Sequence, residues 1–522
     1  MSSNRHNSAD RGSPESSQIP IRGQGMELTD TGSSSRSKEL KERSSEGSGT
    51  PRDSAVVNDG VVNDGVVHDG VVHDGVVNDA VFGTIENGRR RPNYRNVGWI
   101  RTSLLMMKAQ VGVGALSVPG AFSRLGLVPG VMVVFAVAIV TTWSNQTIGH
   151  FKLRHPDTYG LDDVGGKLFG PIGREVFFVA TQIFYIFVAA SALLTVSTCL
   201  NALTDHAYCT ALFVAVAAIA GFFLASPRTL SKVSWLAWVG MVCILTSIFT
   251  LAIAVCRQDR PAAAPPTGPW KSDFKLFGDS TFIEAMSGVS SIIFAFTGTP
   301  YFFPIVSEMR DPKRYFRSMY VCQSVTTTIY LVIGGIVYYK CGSYVTSPAL
   351  GSAGDRMKKV SYAIALPGLL VSTMIVCHLP AKNIVVRLLR GSRHLTGQTL
   401  KNKVHWYGCC FSIVVIAYVV ASAIPVFSGL ISLIGALLGS FTTMQPYGAM
   451  WLFDNWQRRE QHESKDARRR WSCGLMWAFV VIAIGSFSTV VGSYASVVNI
   501  IDMYRNTAGS AAWSCADNSG SA

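Results

Sequence analysis

Lys108 and Gln110 stand just before the run Gly112-Val-Gly-Ala-Leu-Ser-Val-Pro119, inside an apolar stretch long enough to cross a bilayer. A lysine at mid-membrane costs about 2.5–3.5 kcal/mol on insertion scales, so such a residue is a functional candidate by default. Burial lowers an amine's proton affinity, so the chemistry on offer is proton exchange, with Gln110 placed to orient the amine. The competing role is a lysine that snorkels to the surface, because the apolar run begins only about nine residues earlier. Glycine and proline in mid-run release backbone groups from the helical ladder. In lipid those groups must find partners, so broken backbone is tolerated only where it faces protein or lines a cavity.

A second interruption lies in Ile293-Phe-Ala-Phe-Thr-Gly-Thr-Pro-Tyr-Phe-Phe-Pro304, where Thr297, Gly298, Thr299 and Pro300 break an apolar run near its middle. Two breaks at matching places in two halves point to a mid-membrane substrate site, and so to transport. Half-helix N-termini offer N–H groups to a carboxylate, and half-helix C-termini offer carbonyls to an ammonium. An α-amino acid presents both. The residues that fit these roles are Gly112, Val113, Gly114 and Ala115 at the first break and Phe296, Thr297, Gly298 and Thr299 at the second. Tyr185, with Gln182 and Ser191 in the same run, can reach a carboxylate or can be a packed tyrosine satisfied locally. Ser372 and Thr373 can coordinate a cation or back-bond to a carbonyl one turn earlier. Glu308, with Arg310 beside it, can pair with Arg101 to form an inner gate; Glu284 and His378 are weaker proton-carrier candidates.

These residues need long apolar helices to hold them. Of the 522 residues 48% are hydrophobic and 15% charged, against roughly 25% charged in a soluble protein. Eleven apolar runs follow, from Trp99–Leu125 to Ser472–Ser496, the fourth being Tyr208–Ala225 and the sixth Thr281–Ser307. The net charge of +14 reflects basic residues in short loops rather than a nucleic-acid surface. With the N-terminus placed in the cytoplasm, 27 basic residues fall on the inner side and 10 on the outer, which supports that orientation. Residues 1–95 are rich in Ser, Gly and charge, a composition that does not bury enough apolar surface to fold. The five-residue repeat from Val56 to Ala80 (VVNDG, VVHDG) reads as low-complexity sequence without a fold. Among eleven scattered cysteines, Cys256 with Cys341 is the candidate outer disulfide. There is no early apolar run with a cleavage site. No phosphate-binding G-x-x-x-x-G-K-[ST] run, catalytic constellation, metal-ligand pattern or cofactor motif is present.

The run Gly112–Pro119, the run Ser307-Glu-Met-Arg-Asp-Pro312 and eleven crossings together resemble the amino acid/auxin permease family, and within it the fungal neutral amino acid permeases of the methyltryptophan-resistance type. The resemblance covers about residues 96–496. It implies an all-helical LeuT-type fold, five plus five inverted helices and one extra, and ion-coupled amino acid uptake. It also implies a lysine, here Lys108, at a place where sodium-coupled members carry an asparagine.

The expectation is therefore an all-α membrane transporter, not an enzyme. It comprises a disordered cytoplasmic tail (1–95), a transport domain (96–496) and a short extracellular tail (497–522). Its expected activity is proton-coupled import of neutral amino acids at the plasma membrane, with no cofactor. Expected partners are the substrate, the proton and the bilayer, with kinases and ubiquitin ligases on the Ser-rich tail carrying Lys38 and Lys41. A vacuolar antiporter and a non-transporting sensor on the same fold are the alternatives.

Overall fold

The structure, a computed structural model, describes residues 97–227, 230–261, 263–265, 267, 270–389, 400–456, 465–506, 512–513 and 515–519, and three short strands nearer the N-terminus. The strands are β1 (Val72–His73), β2 (Val76–Asp79) and β3 (Gly83–Glu86), paired antiparallel in chain order, with His73 opposite Val76. β1 and β2 fall within the five-residue repeat, which the composition alone reads as low-complexity sequence. Two-residue Asp-Gly connections between valine pairs are a strong hairpin signal, and Asp74-Gly75 joins β1 to β2. The rest of the segment before residue 97 lies outside the described residues.

The first crossing is two helices, α1 (Trp99–Gln110) and α2 (Val113–Leu125), bent by 46° at Val111-Gly112. Gly126, at φ +88°, turns α2 into α3 (Leu127–Arg154); a Cβ there would stand 2.4 Å from the Gly278 nitrogen, so only glycine fits. Next come α4 (Leu161–Thr204), kinked at Gly170 before Pro171, α5 (Thr210–Ala225) and α6 (Leu230–Arg257). The sixth crossing is again two helices, α7 (Phe282–Ala295) and α8 (Thr299–Ser307). A capping box between Thr281 and Glu284 starts α7, so Glu284 is a helix-end residue. Then follow α9 (Tyr315–Cys341), α10 (Asp355–Leu389) and α11 (Leu400–Ala423). The tenth crossing runs through α12 (Phe427–Leu433), a π-helical turn at Ile434–Gly439, α13 (Ser440–Thr443) and α14 (Gln445–Trp456). The last helix is α15 (Lys465–Asn506), longer at both ends than the apolar run suggests.

Among the described residues nine helical spans are long and apolar enough to cross a membrane, and the bent pair α1–α2 makes a tenth. The remaining expected crossing, the fourth, is α5, which at 16 residues is about 24 Å long, short of a hydrocarbon core of about 30 Å. Burial separates axis from periphery. In α7–α8, 94% of the most apolar window is buried, against 22% in α15. The sixth crossing is therefore axial. The eleventh turns Phe479, Phe487 and Val490 outward, as suits a lipid-facing helix.

Around the axis, α2 packs on α7 and α9, while α10 packs on α6 and α4. The chain just before α1 is strapped to the segment after α8. The Val97 amide donates to the Glu308 carbonyl at 3.2 Å, and the Arg310 amide donates to the Val97 carbonyl at 3.0 Å.

The proposed Cys256–Cys341 disulfide is not formed; both thiols are free. Instead Cys209, at the start of α5, is bonded to Cys515 beyond α15. Neighbouring residues share the docking. Asn201 donates to Asn518 at 2.7 Å, Thr210 to the Ala516 carbonyl at 2.6 Å, and the Trp513 amide to the Ser422 carbonyl at 2.8 Å.

Candidate functional site

The two breaks meet. At the first, the Val111 amide still reaches the Met107 carbonyl at 2.6 Å, and the Gly112 amide bends back to Gln110 at 2.9 Å. The amides opening α2, at Val113, Gly114 and Ala115, belong to a helix first turn and have no intrahelical acceptor. A Cβ on Gly112 would lie 2.7 Å from Ser372 Oγ, and one on Gly114 would lie 3.0 Å from Ala295 Cα. The first break is thus pressed between α10 on one side and the end of α7 on the other. At the second break the Phe296 and Thr297 amides close one last turn onto Ile293 and Phe294, both at 3.0 Å. Thr297 and Thr299 are buried, and Thr299 Oγ1 has no hydrogen-bond partner. A Cβ on Gly298 would stand 2.5 Å from Gln110 Cγ, so the Gln110 side chain spans from the first break to the second.

Lys108 is 1% exposed and its Nζ has no hydrogen-bond partner. Its Cε lies 3.1 Å from where a Gly240 Cβ would stand, and Val371 flanks the same spot. The side chain therefore runs inward between α6 and α10 rather than snorkelling. Ser372 and Thr373, expected as a pair, are separated by the turn of α10. Ser372 faces Gly112, whereas the Thr373 methyl faces Gly221 of α5 at 3.1 Å. Both hydroxyls donate to carbonyls one turn earlier, at 3.2 and 3.0 Å. Tyr185 is fully buried, and its hydroxyl donates to the Pro300 carbonyl at 2.9 Å rather than standing free. Its ring lies 4.5 Å from that of Tyr301, whose hydroxyl has no partner.

The expected gate is rearranged. Arg101 and Arg310 are exposed. Glu308 is buried, and its carboxylate pairs with Lys382 from the end of α10. Arg101, on the first turn of α1, faces outward while Lys382 comes from inside the bundle, so Lys382 takes the carboxylate. A cavity of about 380 Å³ is lined by Asp162, Asp163, Arg174, Arg387 and Asn383, the residue after Lys382. Arg174 meets Asp163 at 2.7 Å, and Arg387 pairs with Glu175. His378 lies away from the breaks, with Nδ1 3.2 Å from the Ala225 carbonyl and its ring against Trp406.

Sequence reasoning missed Tyr330 and Lys382. Tyr330 Oη lies 3.0 Å from the Gln110 carbonyl and 2.7 Å from that of Ala295. A tyrosine in an apolar run carries no signal of such a role. Lys382 does carry one, since it is a lysine at the end of an apolar run, but a basic residue there reads equally as a topology signal. Among the described residues no group of His, Cys, Asp or Glu could hold a metal ion.

Two discontinuous helices crossing at an axial, polar-lined point in an all-helical bundle define a LeuT-type membrane transporter rather than an enzyme. The sequence profile described as transmembrane amino acid transporter protein matches residues 95–498, and the chain belongs to that family. A transmembrane transporter of Gibberella moniliformis is 31% identical over 428 residues, spanning 82% of this chain and 89% of the relative. The N amino acid transport system protein of Neurospora crassa is 30% identical over 430 residues, spanning 81% and 89%. The crystal structure of MhsT in complex with L-phenylalanine matches with a TM-score of 0.50 at 10% identity, covering 78% of this chain and all of that one. At that identity the likeness concerns the fold.

Proposed function

We propose that the protein imports neutral amino acids together with protons across the plasma membrane. The observation that carries this reading is Lys108, buried and unpaired beside the first break. An amine in that position gains or loses a proton according to which side of the membrane the cavity faces, and its charge acts directly on α1, α6 and α10. The amides of Val113–Ala115 receive the substrate carboxylate. The carbonyls around Phe296 and Thr297 receive the ammonium, and Tyr185, Tyr301 and Phe296 surround the side chain. Among the described residues of the breaks, from Lys108 to Ala115 and from Phe296 to Pro300, none is acidic. Glu308 lies nine residues beyond Thr299, about 13 Å along the helix, and is engaged by Lys382. Neutral substrates follow, large ones included. The relative named N amino acid transport system protein supports amino acids as the cargo.

Glu308 with Lys382 forms the cytoplasmic latch, and Arg101 and Arg310 stand at its rim. The orientation places the N-terminus in the cytoplasm. The Cys209–Cys515 disulfide then faces the oxidising side, which fits the basic-residue count.

The test is uptake of labelled phenylalanine and leucine into proteoliposomes with an imposed pH gradient, acid outside, in sodium-free buffer. Gradient-driven accumulation supports the reading. Uptake that requires sodium and ignores pH overturns the coupling, and no uptake of any amino acid favours a sensor. Imaging of a tagged chain separates plasma membrane from vacuole.

A further inference from the structure

We propose that Tyr330 is a positioning residue that clasps the two broken helices together and so sets the geometry of the substrate seat. This rests on the transport reading above for its consequence, but its structural basis is independent of it. Every helix leaves its last carbonyls without intrahelical donors, and those carbonyls carry the negative end of the helix dipole. Here two such ends converge: Gln110, the last residue of α1, and Ala295, the last residue of α7. Left alone in an anhydrous site the two ends would repel each other, and the Gln110 oxygen would keep only its bond from the Gly112 amide at 2.9 Å.

Tyr330, from α9, fills the place between them. It is fully buried, and its hydroxyl lies 2.7 Å from the Ala295 oxygen and 3.0 Å from the Gln110 oxygen. A hydroxyl has one proton to give, so the two carbonyls share it, with the shorter leg to Ala295. The ring is itself fixed, meeting Phe296 edge-on at 5.1 Å and 82°. Phe296 is the first residue of the second break, so the clasp touches that break through both backbone and side chain. Gly114 completes the arrangement, because a Cβ there would stand 3.0 Å from Tyr330 Oη and 3.2 Å from the Ala295 oxygen. Any side chain at 114 would part the helices the hydroxyl joins. The amides opening α2 and the carbonyls of the second break, which form the proposed seat, are thus held in register by one hydroxyl on a third helix.

The experiment compares wild type with Tyr330→Phe, which keeps the ring and its contact with Phe296 and removes only the hydroxyl. Amide hydrogen exchange on the purified, substrate-free protein reads the clasp itself. In Tyr330→Phe the peptides covering 107–116 and 292–301 should both exchange at least fivefold faster, with α15 unchanged. Exchange that rises at neither break, or at only one, overturns the clasp whatever the protein transports. Uptake per molecule delivered to the membrane reads the consequence. KM for the amino acid should rise about tenfold, while the delivered amount stays within a factor of two. A loss that merely tracks delivery, with KM unchanged, overturns the positioning role. If wild-type protein takes up no amino acid, the functional reading fails and the exchange result still decides the clasp.

Discussion

Lys108 sits in a place its chemistry does not prefer, a lysine 1% exposed inside an apolar helix pair. Its side chain is buried between α6 and α10, and Nζ has no hydrogen-bond partner. Replacing it with Met keeps the volume and removes the titrating group. Lys108→Met should retain amino acid exchange but lose at least tenfold of the stimulation by an inward proton gradient, measured in proteoliposomes. Unchanged stimulation would move coupling elsewhere. Gly112 makes a second, steric prediction. Its Cβ position is 2.7 Å from Ser372 Oγ and 3.3 Å from Ser372 Cβ. Gly112→Ala should therefore cut uptake per delivered molecule about tenfold or more, and Ser372→Ala added to it should restore a substantial part, since the closest atom is gone. A double variant no better than the single one refutes the contact. Lys108, Gly112 and Gln110 were legible in the sequence because charge, glycine and amide are conspicuous in an apolar run. Tyr330 was not legible. Its role depends on where α9 lies against two other helices, and no local pattern encodes that.

At the scale of elements, the two breaks were readable because Gly-x-Gly and Gly-Thr-Pro cannot continue an undisturbed helix in lipid. The pairing at the end of the bundle was not. Glu308 stands at the end of α8 and Lys382 near the end of α10, 74 residues apart in sequence, and only the fold brings them together. Both are nearly fully buried, so the pair ties the end of α8 to α10 at the expense of desolvating two charges. Breaking a buried pair by removing one partner typically costs about 3–5 kcal/mol, whereas exchanging the two charges leaves a pair in place. Glu308→Gln should lower the melting temperature in detergent by several degrees and make cysteines placed near Asn383 more reactive from the cytoplasmic side. Glu308→Lys combined with Lys382→Glu should recover much of both. Equal losses in single and exchanged variants would show that the two residues act separately.

At the scale of the whole molecule, the succession of apolar runs and basic loops showed the order of the helices, because a bilayer demands long apolar spans, but it counted the 16-residue α5 as a full crossing. It misplaced the cysteine pairing, because Cys209 and Cys515 are 306 residues apart and meet only when the segment after α15 returns over α4, α5 and α11. That return ties helices from both halves of the chain at one end of the bundle. Asn201 and Thr210 are buried where it docks, and Trp513 meets Tyr418 edge-on at 5.6 Å. A disulfide typically contributes about 2–4 kcal/mol, largely by restricting the unfolded chain. Cys515→Ser should therefore lower thermal stability by several degrees while leaving KM for substrate unchanged, since the strap lies far along the helices from both breaks. Wild-type protein treated with reductant should melt like the variant. The same bond reports orientation. A membrane-impermeant phosphine added to sealed cells should reduce it fully, as read by labelling of the two freed thiols with an impermeant maleimide. Labelling that appears only after the cells are permeabilised would place this end on the cytoplasmic side and invert the proposed topology.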